Sequence, residues 1–244
     1  MQAVHNGEVH VGEIGLPPFL KAFSEGLSAR IIGSTFIQQL DHYVAARPDI
    51  PSLSRLKNRK IGILSRGSCD EYFIRKLLTV ENLDPETDVA LVPLGDRYGD
   101  LRCFQTGLID ASFLVEPVLS LGESSGRIRI LARVGDRFPE YQWGGIFAST
   151  ACLESQRDLL DALMRGYRES LLLIKEDMTA AAAYGSTLFK IPEAVFRRAL
   201  ERDCANWELD AGIHTTGLFN CIHVQASSGA CRADIQPSDI VVQL

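Results

Sequence analysis

Residues 59–72, Arg-Lys-Ile-Gly-Ile-Leu-Ser-Arg-Gly-Ser-Cys-Asp-Glu-Tyr, carry a short apolar strand into a small-residue turn and then into an amphipathic helix. This junction constrains the chain more than any other stretch, because it demands a strand and a helix packed side by side. Ile61, Ile63 and Leu64 supply the strand and residues 65–68 the turn. Tyr72, Phe73, Leu77 and Leu78 then recur at the three-to-four spacing of a helix with one buried face. The turn sits at a helix N-terminus, where unpaired N–H groups and the positive end of the dipole favour a carboxylate, sulfonate or phosphate. The same residues also make an ordinary strand-to-helix turn capped by Ser68 or Asp70, and an inward-facing Asp70 would repel an anion.

The alternation continues on both sides of this junction. Residues 9–14 read as a strand, 18–25 as a helix closed by Gly26, and 29–33 as a second strand. After the first junction, 89–94 is a short apolar run of the kind buried on both faces, 98–106 a helix ended by Gly107, 109–115 a strand, 118–124 a helix and 128–134 a strand. A parallel sheet with crossover helices is the economical interpretation. The C-terminal third changes character, with helical patterns over 153–177, 179–184, 192–204 and 218–225. This order fits two α/β lobes crossed near residues 50–56 and 138–147, with lobe 1 formed by 1–53 plus 145–244 and lobe 2 by 54–144.

A chain of 244 residues is long enough for two such lobes, and its formal net charge of −6, without any Lys/Arg block, argues against a nucleic-acid partner. No run approaches the roughly 18 apolar residues of a membrane helix, so membrane insertion is not expected. The first residues lack the basic and apolar regions of a signal peptide, which places the chain as written in the cytoplasm. Six cysteines, at 69, 103, 152, 204, 221 and 231, form no CxxC pair. Cys221 and Cys231 are close enough in sequence to be bridged, yet free thiols are the default for a chain without an export signal. Cys69 would sit at a helix N-terminus, where a thiolate is favoured.

The ordered series 56–63 (Leu-Lys-Asn-Arg-Lys-Ile-Gly-Ile), 65–68 (Ser-Arg-Gly-Ser), Leu83-Asp-Pro, Asp88-Val, Val92-Pro-Leu, 107–111 (Gly-Leu-Ile-Asp-Ala) and Glu116-Pro resembles the solute-binding proteins of nitrate, sulfonate and taurine importers. The same superfamily contains thiamine-pyrimidine precursor proteins, and the resemblance spans roughly residues 3–242. It implies a type-II periplasmic-binding-protein-like fold, with two α/β lobes, a ligand cleft and C-terminal helices. It also implies roughly 60 residues ahead of anything resembling residues 3–15, so the first lobe is expected to be incomplete unless its topology is rebuilt or a homo-oligomer or partner chain supplies the strands. Residence of the family is periplasmic or exported, its partners a small-molecule ligand and an ABC-importer permease.

Carried onto this sequence, the family's ligand site falls on Gly15, Leu16 and Pro17 in the first lobe and on Ser65, Arg66, Gly67, Ser68, Cys69 and Asp70 in the second. Glu116 follows a strand and precedes Pro117, which puts a carboxylate at the carboxyl edge of the sheet, where open α/β sheets keep ligands; it equally caps the next helix. Trp143, in Tyr141-Gln-Trp-Gly-Gly, would stack on a ligand near a hinge or pack as core. The expected function is therefore the binding of a small anionic or aromatic organic molecule, such as a sulfonate, carboxylate or pyrimidine. The alternative is a small enzyme on the same scaffold, a decarboxylase or a pyrimidine-forming enzyme, with Cys69 or His42 as its reactive group. His42 adjoins Gln39 and Asp41 in a stretch that also reads as a solvated helix turn. No histidine has metal-ligand spacing, and neither a metal nor a cofactor is expected.

Overall fold

The computed structural model describes residues 2–35, 42–95, 100–138, 140–205 and 207–244. In chain order the elements are α1 (Gln2–His5), β1 (Val11–Gly15), α2 (Leu16–Ser24), β2 (Ala29–Gly33), β3 (Tyr43–Ala46), β4 (Arg59–Ile63), α3 (Cys69–Val80), β5 (Val89–Pro93), α4 (Asp100–Thr106), β6 (Ala111–Leu114), α5 (Val118–Ser124), β7 (Arg129–Arg133), β8 (Gly144–Ser149), α6 (Thr150–Ser155), α7 (Arg157–Glu176), α8 (Met178–Phe189), α9 (Glu193–Cys204), α10 (Thr215–Ser227) and α11 (Pro237–Ile240). They fall into two compact units. Unit 1 comprises residues 1–40, 138–176 and 206–244, and unit 2 comprises 41–137 and 177–205.

Unit 1 is built on a sheet of order β1-β8-β2, with β8 antiparallel to both neighbours. The crossing expected over 138–147 overlaps residues 144–149, which form the middle strand, buried along its whole length. The glycines are there for space. A Cβ on Gly144 would lie 3.1 Å from the Ile14 carbonyl oxygen, and one on Gly145 would lie 3.0 Å from the Ile31 side chain. One face of the sheet is covered by α2 through Leu16, Phe19 and Leu20, with Phe19 and Phe147 rings 6.3 Å apart. A second cluster joins Ile32, Ile146 and Ala148 to Cys152, Leu160 and Met164. Val242 N–H donates to the Ile31 carbonyl, which fastens the C-terminal residues to β2.

Unit 2 has a sheet of order β5-β4-β6-β3-β7. The expected all-parallel sheet is corrected here. The pairs β5-β4 and β4-β6 are parallel, but β3 runs antiparallel between β6 and β7. The α5 crossover leaves one strand position open between β6 and β7, and β3 fills it from the opposite direction. His42 leads directly into β3, buried, with its ring 5.0 Å from that of Phe113, while most of the helix turn read at 38–43 lies outside the described residues. Gln39 and Asp41 lie outside the described residues. α3 packs on the sheet through Phe73, Ile74, Leu77 and Leu78, each worth about 1.5–3 kcal/mol when fully buried.

Two boundaries differ from the sequence division. β3, ahead of the 50–56 stretch, belongs to unit 2, and residues 177–205 also belong to unit 2 as α8 and α9. Within unit 2, Arg202 of α9 pairs with Glu116 and with Glu123 of α5.

Candidate functional site

In unit 2 the β4–β5 ladder continues past both strands, with Leu94 N–H donating to Ile63 O and Gly95 N–H to Leu64 O, each at 2.9 Å. The chain then turns through residues 65–68 into α3. Ser68 is the N-cap, extended at φ −75°, ψ 162°, and its Oγ accepts from Glu71 N–H at 3.4 Å. Asp70 points inward and accepts from Leu64 N–H at 3.1 Å. Glu71 does more. Its Oε2 accepts from Gly67 N–H at 2.7 Å, and its Oε1 accepts from Arg66 at 2.9 Å and from Arg75 at 2.8 Å. The second guanidinium nitrogen of Arg66 is spent on the Leu91 carbonyl at 2.9 Å.

The nest expected for an external anion thus already holds one, the chain's own Glu71 carboxylate. Burial pushes that carboxyl up, but the bonds from Gly67, Arg75 and Arg66 outweigh burial and hold it below the ordinary range. At this edge the hydroxyls of exposed Ser65 and half-buried Ser68 keep a donor each. Cys69 is buried at the first helical position. The sequence does carry a signal for Glu71: Ser68-Cys-Asp-Glu71 is a capping-box pattern, although here the glutamate reaches Gly67 and not the cap residue.

Glu116 stands at the carboxyl end of β6, with a cis peptide bond to Pro117. Its side chain is 2% exposed. Oε2 accepts from Ser120 N–H at 2.9 Å, and Oε1 accepts from Ser120 Oγ at 2.9 Å and from Arg202 at 2.6 Å. The other nitrogen of Arg202 reaches Glu123 at 2.7 Å, and its guanidinium lies 5.5 Å over the Tyr43 ring. No local pattern predicts Arg202, because it lies 86 residues from Glu116.

In unit 1 the first-lobe candidates form a strand-to-helix junction without an intervening loop. Gly15 ends β1, pairs with Gly144 and caps α2, while Leu16 and Pro17 are buried. Leu16 N–H donates to the Trp143 carbonyl at 2.7 Å, and Pro17 and Pro18 have no N–H. The first remaining donor is Phe19, whose acceptor in a regular helix is the Gly15 carbonyl. This helix start therefore presents no backbone nest, unlike the start of α3. Next to half-buried Trp143, buried Gln142 donates to the Gly144 carbonyl at 3.0 Å and accepts from His214 N–H at 3.2 Å.

At the amino edge of the unit 2 sheet, opposite the 65–70 turn, Arg47, Asp49, Phe104, Gln105 and Arg127 line a cavity of about 170 Å³. Its Arg47 is held by Asp49 at 3.1 Å and Asp110 at 3.4 Å. Among the described residues no group of three or more His, Cys, Asp or Glu is placed to hold a metal, and no helix is long and apolar enough to cross a membrane.

Residues 1–181 match the family model described as NMT1/THI5 like. The chain belongs to the NMT1/THI5-like family. No curated protein matches the sequence. Among solved structures, this NMT1/THI5-like chain is similar to the alkanesulfonate-binding protein SsuA from Xanthomonas axonopodis pv. citri bound to MOPS. The TM-score is 0.82 at 16% identity, covering 100% of this chain and 83% of that one. It is similar to the periplasmic aliphatic sulphonate binding protein SsuA from Escherichia coli, with TM-score 0.78, 17% identity, and 100% and 79% covered. It is also similar to a DSZB mutant in complex with biphenyl-2-sulfinic acid, with TM-score 0.67, 15% identity, and 99% and 85% covered. At these identities the likeness establishes the fold, which is the periplasmic-binding-protein type in two α/β units that the sequence predicts.

Proposed function

We propose that this NMT1/THI5-like protein is a non-catalytic solute-binding protein that delivers a small anionic or aromatic organic molecule to an ABC-type permease, with sulfonates as the leading ligand class. The observation that carries this reading is the match of the whole chain, over 100% of its length, to sulfonate-binding SsuA structures. Export to a periplasmic or extracellular compartment follows from the same reading. The proposed ligand contacts in unit 2 are those of the 65–69 turn. Glu71 already neutralises Gly67 N–H and Arg66, so the Ser65 and Ser68 hydroxyls are the groups that meet the ligand's acidic oxygens. Hydroxyl donors suit a sulfonate, whose charge is dispersed over three weakly basic oxygens. Asp70 and Glu116 serve the fold in this reading, because both are occupied by the chain's own donors.

The test is a thermal-shift and calorimetric screen against MOPS, alkanesulfonates, nitrate, aromatic carboxylates and thiamine-pyrimidine precursors, since a ligand that binds only the native state raises its melting temperature. A saturable shift with sulfonates, weakened at least tenfold by Ser65→Ala plus Ser68→Ala, is the expected result. A well-folded protein that responds to no class overturns the function. Unchanged affinity in Ser65→Ala plus Ser68→Ala overturns the site.

A further inference from the structure

Helix α10 ends in a Schellman motif. Gly229, at φ 73°, donates to the Ala226 carbonyl at 3.0 Å, and Ala230 N–H reaches back to the Gln225 carbonyl at 2.9 Å. Such a turn sends the chain back along the helix it has just left. Gln225 and Cys221 are one turn apart on the same buried face of α10, so the residue after Ala230 arrives beside Cys221. That residue is Cys231. Its Sγ lies 3.9 Å from the carbonyl oxygen of Ile222, the immediate neighbour of Cys221. Cys221 is fully buried, with its Sγ 3.1 Å from the Tyr141 hydroxyl, whereas Cys231 is half-buried and open to reagents.

We propose that Cys221 and Cys231 are a built disulfide site, reduced in this structure, which closes across the Schellman turn when the chain meets a disulfide oxidant. With glutathione disulfide, the Cys231 thiolate attacks one sulfur and releases the first glutathione. The Cys221 thiolate then attacks Cys231 Sγ of the mixed disulfide and releases the second. The two protein thiols give up two protons and two electrons, and glutathione disulfide takes them up as two glutathiones. Burial pushes the Cys221 thiol up to about 12, so Cys231 is the entry point and the second step is the slow one. The bridge would fix the start of the C-terminal segment, whose Arg232 N–H is held by Ser24 Oγ at 3.0 Å and whose Val242 joins β2.

This inference is independent of the ligand, and its test needs none. The protein is incubated with glutathione disulfide under native conditions, alkylated, digested without reduction and mapped by mass spectrometry. Expected is a peptide joining residues 221 and 231, two hydrogens lighter than the reduced pair, together with a melting temperature raised by roughly 5–10 °C. Both signals vanish in Cys231→Ser, a half-buried position chosen so that folding, followed by circular dichroism, is retained. Recovery of Cys221 and Cys231 both alkylated from oxidised, folded protein overturns the proposal, as does a bridge from either to Cys69, Cys103, Cys152 or Cys204.

Discussion

Arg202 donates to Glu116 at 2.6 Å inside unit 2, and this pair joins α9 to the carboxyl end of β6 across 86 residues of sequence. The carboxylate is also held by Ser120, so Glu116 binds both the first turn of α5 and α9. A glutamate at the sheet's carboxyl edge is therefore spent on assembling the unit.

Removing one partner of this pair should cost more than an exposed ion pair would. Arg202→Ala leaves a nearly fully buried carboxylate with only Ser120 as donor, and a loss of about 2–4 kcal/mol in urea unfolding is expected. Glu116→Gln should be milder, at about 1–2 kcal/mol, because the amide oxygen still accepts from Ser120. Equal losses in the two variants would show that the charge itself contributes nothing.

Glu71 supplies the clearest pH dependence. Its carboxyl is held below the ordinary value of 4.5, so it stabilises the fold fully above 4.5 and loses that contribution as pH falls through its lower folded value. Glu71→Gln should remove this increment. Urea midpoints of wild type and variant are expected to differ at neutral pH and to converge below pH 4.5. A constant gap across the acid range would mean that the loss is one of shape only.

Much of the architecture is legible in the sequence, because its determinants are local. The 29–33 strand and the 118–124 helix are read off their apolar spacing and appear as β2 and α5 with the same limits. β3 and β8 are not legible. Tyr43-Val-Ala-Ala is four residues behind a polar run, and β8 opens on two glycines whose purpose, room for Ile14 and Ile31, exists only in the folded sheet. Strand direction is equally silent, since burial makes β3 look the same whichever way it runs. At the candidate site the 65–70 turn and its helix start are visible, but the ion that fills the nest is set by a side chain's reach. That is why the reach of Glu71 to Gly67, which its capping-box pattern does not specify, and the pairing of Arg202 with Glu116 emerge only in three dimensions.

Gly185 and Phe196 set the packing of α8 on α9. A Cβ at 185 would lie 2.0 Å from the Phe196 ring, which is itself stacked on Phe189 with centroids 5.4 Å apart. Alanine in mid-helix gains about 1 kcal/mol of intrinsic propensity over glycine, and forced repacking costs about 1–3 kcal/mol. The overlap is deep enough for the second effect to win. Gly185→Ala should lower stability by about 1–2 kcal/mol, and adding Phe196→Leu should recover part of it. A stabilised Gly185→Ala protein would show that the helices separate freely.

Gln142 offers the opposite pH behaviour to Glu71, within unit 1. Its amide is buried at 1% exposure and uses both ends, donating to the Gly144 carbonyl and accepting from His214 N–H. Gln142→Glu keeps the shape and the acceptor but turns the donor into a second acceptor facing a carbonyl. Burial without a cation then raises the folded pKa of the new carboxyl above its unfolded value, so the charged form destabilises the fold at neutral pH, by about 3–5 kcal/mol. Protonation restores a donor for the Gly144 carbonyl. The variant should therefore regain stability as pH falls from 7 toward its unfolded pKa of about 4.3, the direction in which the Glu71 contribution weakens. Urea titrations of Gln142→Glu and Gln142→Leu across that range separate the two causes. The leucine variant should lose about 1–3 kcal/mol at every pH through its orphaned partners, and the glutamate variant should approach wild type only in acid.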